Sequence, residues 1–155
     1  MKRYIGCDVG QSGALVCISD EGVEIIPFDL ENYRNALERW KADDCMAVVE
    51  KVSSMPGQGV SSTFSFGTNF GMIQGMLYAL HIPTELVPPQ TWKKMFSLSL
   101  NKSFSKAEKK ARTIAKMKQL FPDVSLKRTG RSRTDDDNIA DALAIAFYCK
   151  RTFGE

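Results

Sequence analysis

A carboxylate inside an apolar stretch is the feature that most constrains this fold. Asp8 lies near the end of the apolar run 3–9, and a second apolar run, 13–19, follows Gly10 and Gly13. The two runs predict two strands joined by a tight glycine turn. Because a lone buried carboxylate is costly unless a positive charge lies against it, we expect a divalent metal at Asp8, shared with Glu50 and with acids near residue 140.

The later segments extend this pair of strands into a sheet with helices. A third strand over 23–26 follows the turn at 20–22 and completes a three-strand antiparallel meander. The unbroken apolar run 45–50, which ends in Glu50, predicts a central strand beside the first. The remaining predicted elements are a helix over 30–41 capped by Asp29, a helix over about 62–80, a strand over 84–87, a short helix from Thr91, a helix over 106–120 capped by Ser105, and a last helix from within 135–137 to about 151.

Length and composition indicate one soluble domain. The 155 residues, 43% of them hydrophobic, are enough for a single core, so we expect one domain over 1–155. No apolar run approaches the ~20 residues that span a bilayer, and no signal-peptide pattern opens the chain. We therefore expect a cytoplasmic protein without a membrane contact. The four cysteines are widely spaced, which disfavours zinc and disulfides. Cys7 and Cys17 lie in apolar runs, which favours core positions for these two.

The charge is distributed unevenly. The net charge is only +3, yet thirteen basic and two acidic residues lie between Trp92 and Thr134, immediately before an acidic cluster at 135–141. A basic stretch that leads into acids indicates a polyanion brought to a metal site. For 105–118 alone, a solvated lysine-rich helix face is an equally good interpretation.

The acids of the last helix have a spacing that suits metal binding. Asp137 and Asp141 are four residues apart and therefore share a helix face. Together with Asp8 and Glu50 they would form a set of hard oxygen ligands typical of Mg²⁺. Two ions about 3.5–4 Å apart in such a set catalyse phosphodiester hydrolysis. The alternative for the run 135–137 is a charge cluster that only stabilises the helix N-terminus.

A glycine stripe lies on the helix predicted over 62–80. Gly67, Gly71 and Gly75 are spaced by four and fall on one face, where each costs about 1 kcal/mol of helix propensity. Close packing on the sheet is one explanation. The other explanation is a helix–helix contact between two copies of the chain, which the family resemblance described next favours slightly.

Seven segments resemble the RuvC family of Holliday junction resolvases over nearly the whole chain, most closely its phage and poxvirus branch. They are Ile5-Gly6-Cys7-Asp8-Val9-Gly10, Val48-Val49-Glu50-Lys51-Val52, Gly71-Met72-Ile73-Gln74-Gly75, Pro88-Pro89-Gln90-Thr91-Trp92-Lys93-Lys94, Ser105-Lys106-Ala107, Phe121-Pro122-Asp123 and 137–146. The resemblance implies an α/β, ribonuclease H-like fold: a mixed five-stranded sheet with a three-strand antiparallel meander, two parallel strands and helices on both faces.

The resemblance also implies an activity. It points to a Mg²⁺-dependent homodimeric endonuclease that resolves four-way DNA junctions by paired nicks during recombination or replication, with Mn²⁺ as an alternative ion and a phage-encoded origin in a bacterial cytoplasm. The implied catalytic and metal residues are Asp8, Glu50, Asp141 and one acid of 135–137, for which we choose Asp137. Asn138 stands where bacterial members usually carry the third acid or a His, and Val9 replaces their usual Pro.

Basic and apolar residues complete the expected site. Lys93 or Lys94 and Lys106 resemble family positions near the scissile phosphate, and Met55, Phe64 and Phe66 are candidates for an apolar residue near the junction crossover, although core packing is the better interpretation for the two Phe. The predicted DNA-binding residues are Lys93, Lys94, Lys102, Lys106, Lys109, Lys110, Arg128, Arg131 and Arg133. Gly67, Gly71 and Gly75 are the predicted dimer contacts.

Three rival functions remain to be compared. Actin-like kinases share the opening motif but need a second domain, for which 155 residues leave no room. A non-catalytic nucleic-acid-binding relative would gain nothing from four anions that face DNA. An RNA-processing or linear-duplex nuclease of the same fold is separated from a junction resolvase only by the family pattern.

Overall fold

The computed structural model describes residues 1–53, 57–98 and 103–154, and five strands in these ranges form one mixed sheet. Their order across the sheet is β3-β2-β1-β4-β5. The strands are β1 (Lys2–Asp8), β2 (Ala14–Ser19), β3 (Gly22–Pro27), β4 (Asp44–Glu50) and β5 (Thr84–Val87). β1, β2 and β3 pair antiparallel, whereas β4 runs parallel to both β1 and β5. The predicted meander and the central position of the strand that ends in Glu50 are confirmed.

Helices lie on both faces of this sheet. They are α1 (Leu30–Trp40), α2 (Val60–Ala79), α3 (Pro89–Met95), α4 (Lys106–Leu120) and α5 (Asp137–Phe153). Both predicted caps are confirmed, since Asp29 accepts from the backbone N–H of Asn32 at 2.9 Å and Ser105 Oγ accepts from that of Glu108 at 3.1 Å. α3 begins two residues earlier than predicted because a proline in the first helical turn has no N–H to leave unpaired.

Side chains alternate between the two faces of the sheet along each strand, so the hydrophobic core has two parts, one on each face. Ile5 and Cys7 of β1 pack with α1 and α2, whereas Tyr4 lies in the other core, with α3, α4 and α5. Trp40 fills the first core and Trp92 the second, and both are fully buried. The four cysteines are buried free thiols, which confirms the predicted core positions of Cys7 and Cys17. No helix in the described ranges has the length and apolar character needed to cross a bilayer.

The outer face of α2 carries the three glycines, and also one phenylalanine that we expected to be buried. A Cβ at Gly67, Gly71 or Gly75 would meet no atom within 4 Å, so these glycines do not provide close packing on the sheet. Phe64 is 77% exposed, and its predicted core position is wrong. The reason is that α2 turns Asn69, Ile73 and Leu77 inward, which leaves Phe64 on the solvent side. Phe66 does pack against the core, and Met55 lies outside the described residues.

The closest contact between β1 and α5 is made by backbone. A Cβ built on Gly6 would lie 2.2 Å from Ala146 N and 2.7 Å from Ala142 O. Ala142, Leu143, Ala144, Ile145 and Ala146 of α5 are all fully buried here. Only a glycine in β1 lets α5 approach this closely, and this approach places the first turns of α5 over the end of β1.

Gly6→Ala tests this contact. We expect it to cost about 3 kcal/mol or more of unfolding free energy, because the added methyl overlaps backbone atoms that cannot rotate away. Urea denaturation followed by circular dichroism measures the change. Gly130→Ala is the matched control, since a Cβ there meets nothing within 4 Å. Equal stabilities of the two variants would contradict the proposed contact.

Candidate metal and nucleic-acid site

Two acids lie at neighbouring strand ends. Asp8 ends β1 and Glu50 ends β4, and these parallel strands are paired up to Cys7 and Val49, one residue earlier. Because side chains alternate along a strand, Asp8 shares the face of Tyr4 and Glu50 shares that of Val48, and this is the face that α5 covers. Pairing and alternation therefore bring two carboxylates from distant segments to one point.

The N-terminal part of α5 adds two more carboxylates. Both Asp137 and Asp141 repel Asp8 electrostatically, so the four acids that we predicted from the sequence do converge. The other acids of the run 135–137 point elsewhere. Asp135 is paired with Lys118 at 3.0 Å, and Asp136 caps α5 by accepting from the N–H groups of Asn138 and Ile139. Asp137 is thus the member of the run that faces the cluster.

The cluster carries more negative charge than its surroundings neutralise. Burial, and then repulsion by Glu50, Asp141 and Asp137, raises the pKa of Asp8 well above its usual range. Burial also raises the pKa of Glu50, although bonds from Trp92 and Asp8 and the charge of Lys93 oppose it. Burial raises the pKa of Asp141 to about 7 despite the nearby Lys93. A side-chain hydrogen bond between Asp8 and Glu50 contributes to the raised pKa of Asp8 and opposes the rise in the pKa of Glu50.

Two lysines supply the positive charge nearest the acids. Lys93 acts on Glu50 and Asp141, and its Nζ lies 5.4 Å from the centre of the Trp92 ring. Lys110 Nζ lies 3.7 Å from Asp137 Oδ2 and also acts on Asp141. Two lysines against four acids leave a net negative centre.

The donor set suits a divalent cation. Carboxylate oxygens are the hard ligands that Mg²⁺ prefers. Burial and repulsion between the acids raise the pKa values of Asp8 and Asp141, so a bound cation would favour their ionised forms. Within the described ranges, no three His, Cys, Asp or Glu side chains already have the spacing of a preformed metal site. The acids therefore suit the ion because of their ligand type, and not because they already form a complete coordination shell.

Trp92 has a role in the site that the sequence did not reveal. Trp92 is fully buried, and its Nε1–H donates to Glu50 Oε2 at 2.8 Å. This bond holds one carboxylate oxygen in place and leaves the other for a ligand. A signal was present in the sequence, because a buried tryptophan N–H needs an acceptor.

The predicted DNA-binding residues fall into two groups. One group flanks the acids on α3 and α4, where Lys94, Lys106 and Lys110 are exposed and Lys93 and Lys109 are partly buried. The other is the loop before α5, where Arg131 and Arg133 are exposed. Lys102 lies outside the described residues.

Arg128 requires a correction. Its Nε donates to Asp136 at 2.9 Å, and its guanidinium also donates to the backbone carbonyls of Ser12 and Gly13. We predicted a phosphate contact, but these internal acceptors occupy the guanidinium. Arg128 braces the β1–β2 turn against the start of α5, and in doing so it helps to lower the pKa of Asp136 against the effect of burial.

Comparisons with known proteins bear on the fold. No protein-family model matches the sequence, and no curated protein matches it. Two solved structures of Thermus thermophilus RuvC are similar in three dimensions, each at 15% sequence identity. The RuvC structure in complex with a Holliday junction substrate aligns with a TM-score of 0.63 over 99% of this chain and 97% of that one. The second structure aligns with a TM-score of 0.53 over 97% and 95%. The chain therefore has the ribonuclease H-like fold of RuvC.

The buried acids predict an unusual pH dependence of stability. Folded Asp141 keeps its proton to about pH 7, whereas its usual pKa is 3.8. Its stabilising contribution is therefore complete below about pH 3.8 and is lost as the pH rises through about 7. In EDTA, we expect the free energy of unfolding to fall by on the order of 1–3 kcal/mol between about pH 5 and 8.

Urea denaturation across this pH range measures the effect, with Asp141→Asn as the comparison. The variant cannot ionise at this position, so its stability should fall less steeply. Adding Mg²⁺ at pH 8 should restore more stability to the wild-type protein than to the variant. Identical pH profiles for the two proteins would contradict the assignment.

Proposed function

We propose that this chain is a metal-dependent endonuclease that cuts branched DNA, with the four-way junction as its substrate. The observation that carries the proposal is the convergence of Asp8, Glu50, Asp137 and Asp141 beside a lysine-rich surface. The RuvC-like fold and the motif resemblance favour the resolvases, within them the phage and poxvirus branch. Under this proposal residues 1–155 form one nuclease domain that works in the cytoplasm, as a phage protein would in its bacterial host.

The four acids would hold Mg²⁺, two ions in one site, with Mn²⁺ as an alternative. When bound, the ions supply the positive charge that activates water and stabilises the leaving oxygen in phosphodiester hydrolysis. Trp92 positions Glu50 through its Nε1–H, so that one carboxylate oxygen keeps a fixed direction. Asp8 is only 7% exposed, whereas Glu50, Asp137 and Asp141 are partly exposed and could be reached by a phosphate.

Lysines beside the acids would orient the phosphate. Lys93 and Lys110 are close enough to act on the carboxylates, so a phosphate brought between them would meet positive charge on both sides. A fixed cation at this place can also stabilise charge that develops in the transition state. Lys94, Lys106, Arg131 and Arg133 extend the positive surface outward for the flanking backbone.

We propose a homodimer built on the outer face of α2, because paired nicks need two active sites. Gly67, Gly71 and Gly75 leave open space there. Met72 is 44% exposed and Tyr78 is 85% exposed on the same helix, so this surface has apolar area that a second copy could cover. Phe64, also exposed at the N-terminal end of α2, is our candidate for an apolar contact with the junction crossover.

Asp8→Asn tests the catalytic assignment. We expect cleavage of a labelled four-way junction to fall about 100-fold or more, since a ligand and its charge are lost, while junction affinity is kept or increased because one negative charge that faces DNA is gone. Four-way, three-way and linear DNA, and an RNA duplex, should be compared with and without Mg²⁺. Loss of binding together with cleavage would indicate that Asp8 is structural, and cleavage of RNA alone would favour the RNA-processing alternative.

A second prediction concerns the basic surface. Replacing Lys94 and Lys106 together by Gln should reduce the slope of log Kd against log salt concentration by about 1–2, since each phosphate contact adds about 0.9. Fluorescence anisotropy with a labelled junction measures this slope. Replacing Lys2 and Lys41, which are exposed at the opposite end of the sheet, makes the same charge change as a control. Equal slopes for both pairs would remove α3 and α4 from the DNA path.

The dimer is tested by Gly71→Glu, which puts a charge on the glycine face. Light scattering should show a dimer of the wild-type chain at micromolar concentration and a folded monomer of the variant. The variant should then bind a junction without making paired nicks. Ala42→Glu, at an exposed position after α1, is the control. A wild-type monomer would refute the dimer without affecting the metal site.

A further inference from the structure

A cavity adjoins the acid cluster, and the mechanism proposed above does not use it. It has a volume of about 620 Å³ and lies between the β1–β2 turn and the N-terminal half of α2. Its walls are the backbone of residues 9–13, three serines of α2, and the side chains of Phe66, Asn69 and Asn138. We refer to it as the Asn69 pocket. Because Val9 follows Asp8 and Asn138 follows Asp137, it is contiguous with the acids.

The carboxamide of Asn69 marks this pocket as a binding site. Asn69 is only 9% exposed, yet its side chain makes no hydrogen bond to any residue in the described ranges. A carboxamide offers one acceptor and two donor hydrogens, and the polar atoms of Asn69 remain accessible from the pocket although most of the residue is buried. The side chain lines the pocket, so a ligand there could satisfy it.

The walls of the pocket are held in place by internal bonds. Gly13 N–H donates to Gly10 O at 3.0 Å and closes the turn, while Arg128 donates to the Ser12 and Gly13 carbonyls from behind. On the opposite wall, Gln58 Nε2 donates to Ser62 Oγ at 3.3 Å, so the Ser62 hydroxyl can still donate to a ligand. The pocket is therefore formed before anything binds.

The lining indicates the chemical class of the ligand. None of the lining side chains is charged, and Asp8 and Asp137 stand immediately beside the pocket, so a phosphate would be repelled. Hydroxyls and carboxamides instead match a neutral group with both donors and acceptors. The ring of Phe66 lies against Gly10, where a Cβ would come within 3.0 Å of it, and it offers an apolar surface to a flat ring.

We propose that the Asn69 pocket takes one nucleobase of the DNA, extruded from its stack beside the phosphate at the acid cluster, and that Asn69 reads the polar edge of this base. This inference rests on the proposed nuclease function, because the acids must hold the neighbouring phosphate. A carboxamide pairs with a base edge through two hydrogen bonds, which discriminates between bases. The chain would then prefer one base at one position next to the nick.

Cleavage of a junction library tests the base preference. Four-way junctions with randomised nucleotides around the crossover are cut with Mg²⁺ under single-turnover conditions, and the products are sequenced. We expect wild-type cleavage to differ by about tenfold or more between the best and the worst base at one position beside the nick. Asn69→Ala should reduce this difference to about twofold at that position only. Gln74→Ala, which also removes a carboxamide and lies about one and a half turns further along α2, should keep the wild-type preference.

A binding experiment provides a readout that needs no cleavage. In the Asp8→Asn background, a junction with 2-aminopurine at the preferred position should become more fluorescent on binding, because the base leaves its stack. The increase should disappear when Asn69→Ala is added, with both proteins measured at concentrations that saturate the junction. Circular dichroism and thermal unfolding check that both variants fold.

The outcomes separate this inference from the proposed function. Cleavage without any base preference, or a preference that Asn69→Ala leaves unchanged, would overturn the base pocket and leave the nuclease intact. An equal loss of cleavage for all bases in Asn69→Ala would assign Asn69 a merely structural role and would also overturn it. A wild-type chain that neither binds nor cuts any junction would refute the nuclease, and the base pocket with it.

Discussion

Repulsion among buried carboxylates is the constraint on which the rest of the site depends. Parallel pairing of β1 with β4 brings Asp8 and Glu50 to one edge of the sheet, and α5 adds Asp137 and Asp141 from above. Several carboxyl groups that lie close together and partly buried cannot all ionise unless positive charge lies beside them. Lys93, Lys110 and the Trp92 N–H compensate only part of this charge. The remaining negative charge makes the edge a place where divalent cations would be stabilised.

Backbone contacts rather than side chains set the geometry of this edge. Gly6 lets α5 approach the centre of the sheet, and Gly13 allows the turn after Asp8 to close, since a Cβ there would lie 1.9 Å from Asp8 O. Arg128 then joins this turn to the Asp136 cap of α5. The acids and the Asn69 pocket share these supports. A change in the turn would therefore affect the metal site and the proposed base site together.

The molecule separates its proposed tasks by surface. We propose hydrolysis at the strand ends, binding of the DNA backbone by the lysines of α3 and α4, and subunit contact at the outer face of α2. The base pocket lies between α2 and the β1–β2 turn, adjacent to the first of these surfaces. Under these proposals charged groups would hold phosphates while neutral groups read a base, because the two sets of side chains would not compete for one ligand.

The sequence alone determined the elements, their order and the identity of the acids. Apolar periodicity, glycine turns and capping residues are local signals, so the strands, the helices and the caps at Asp29 and Ser105 could be predicted. The acids were recognisable because a carboxylate in an apolar strand is costly to bury without a positive partner. The assignment of Asp137 as a metal ligand stays a prediction, and the structure places its charge near Asp8.

Only the tertiary structure decided which partner each side chain meets. Arg128 resembled its basic neighbours in the sequence, yet it braces a turn more than a hundred residues away. Phe64 is a large apolar residue of the kind that usually fills a core, but it lies on the solvent side of α2. The hydrogen bond of Trp92 depends on Glu50, 42 residues earlier in the sequence. Local sequence specifies backbone conformation through short-range sterics and hydrogen bonds. Contacts between distant segments depend on how whole elements pack, and no short window of sequence contains that information.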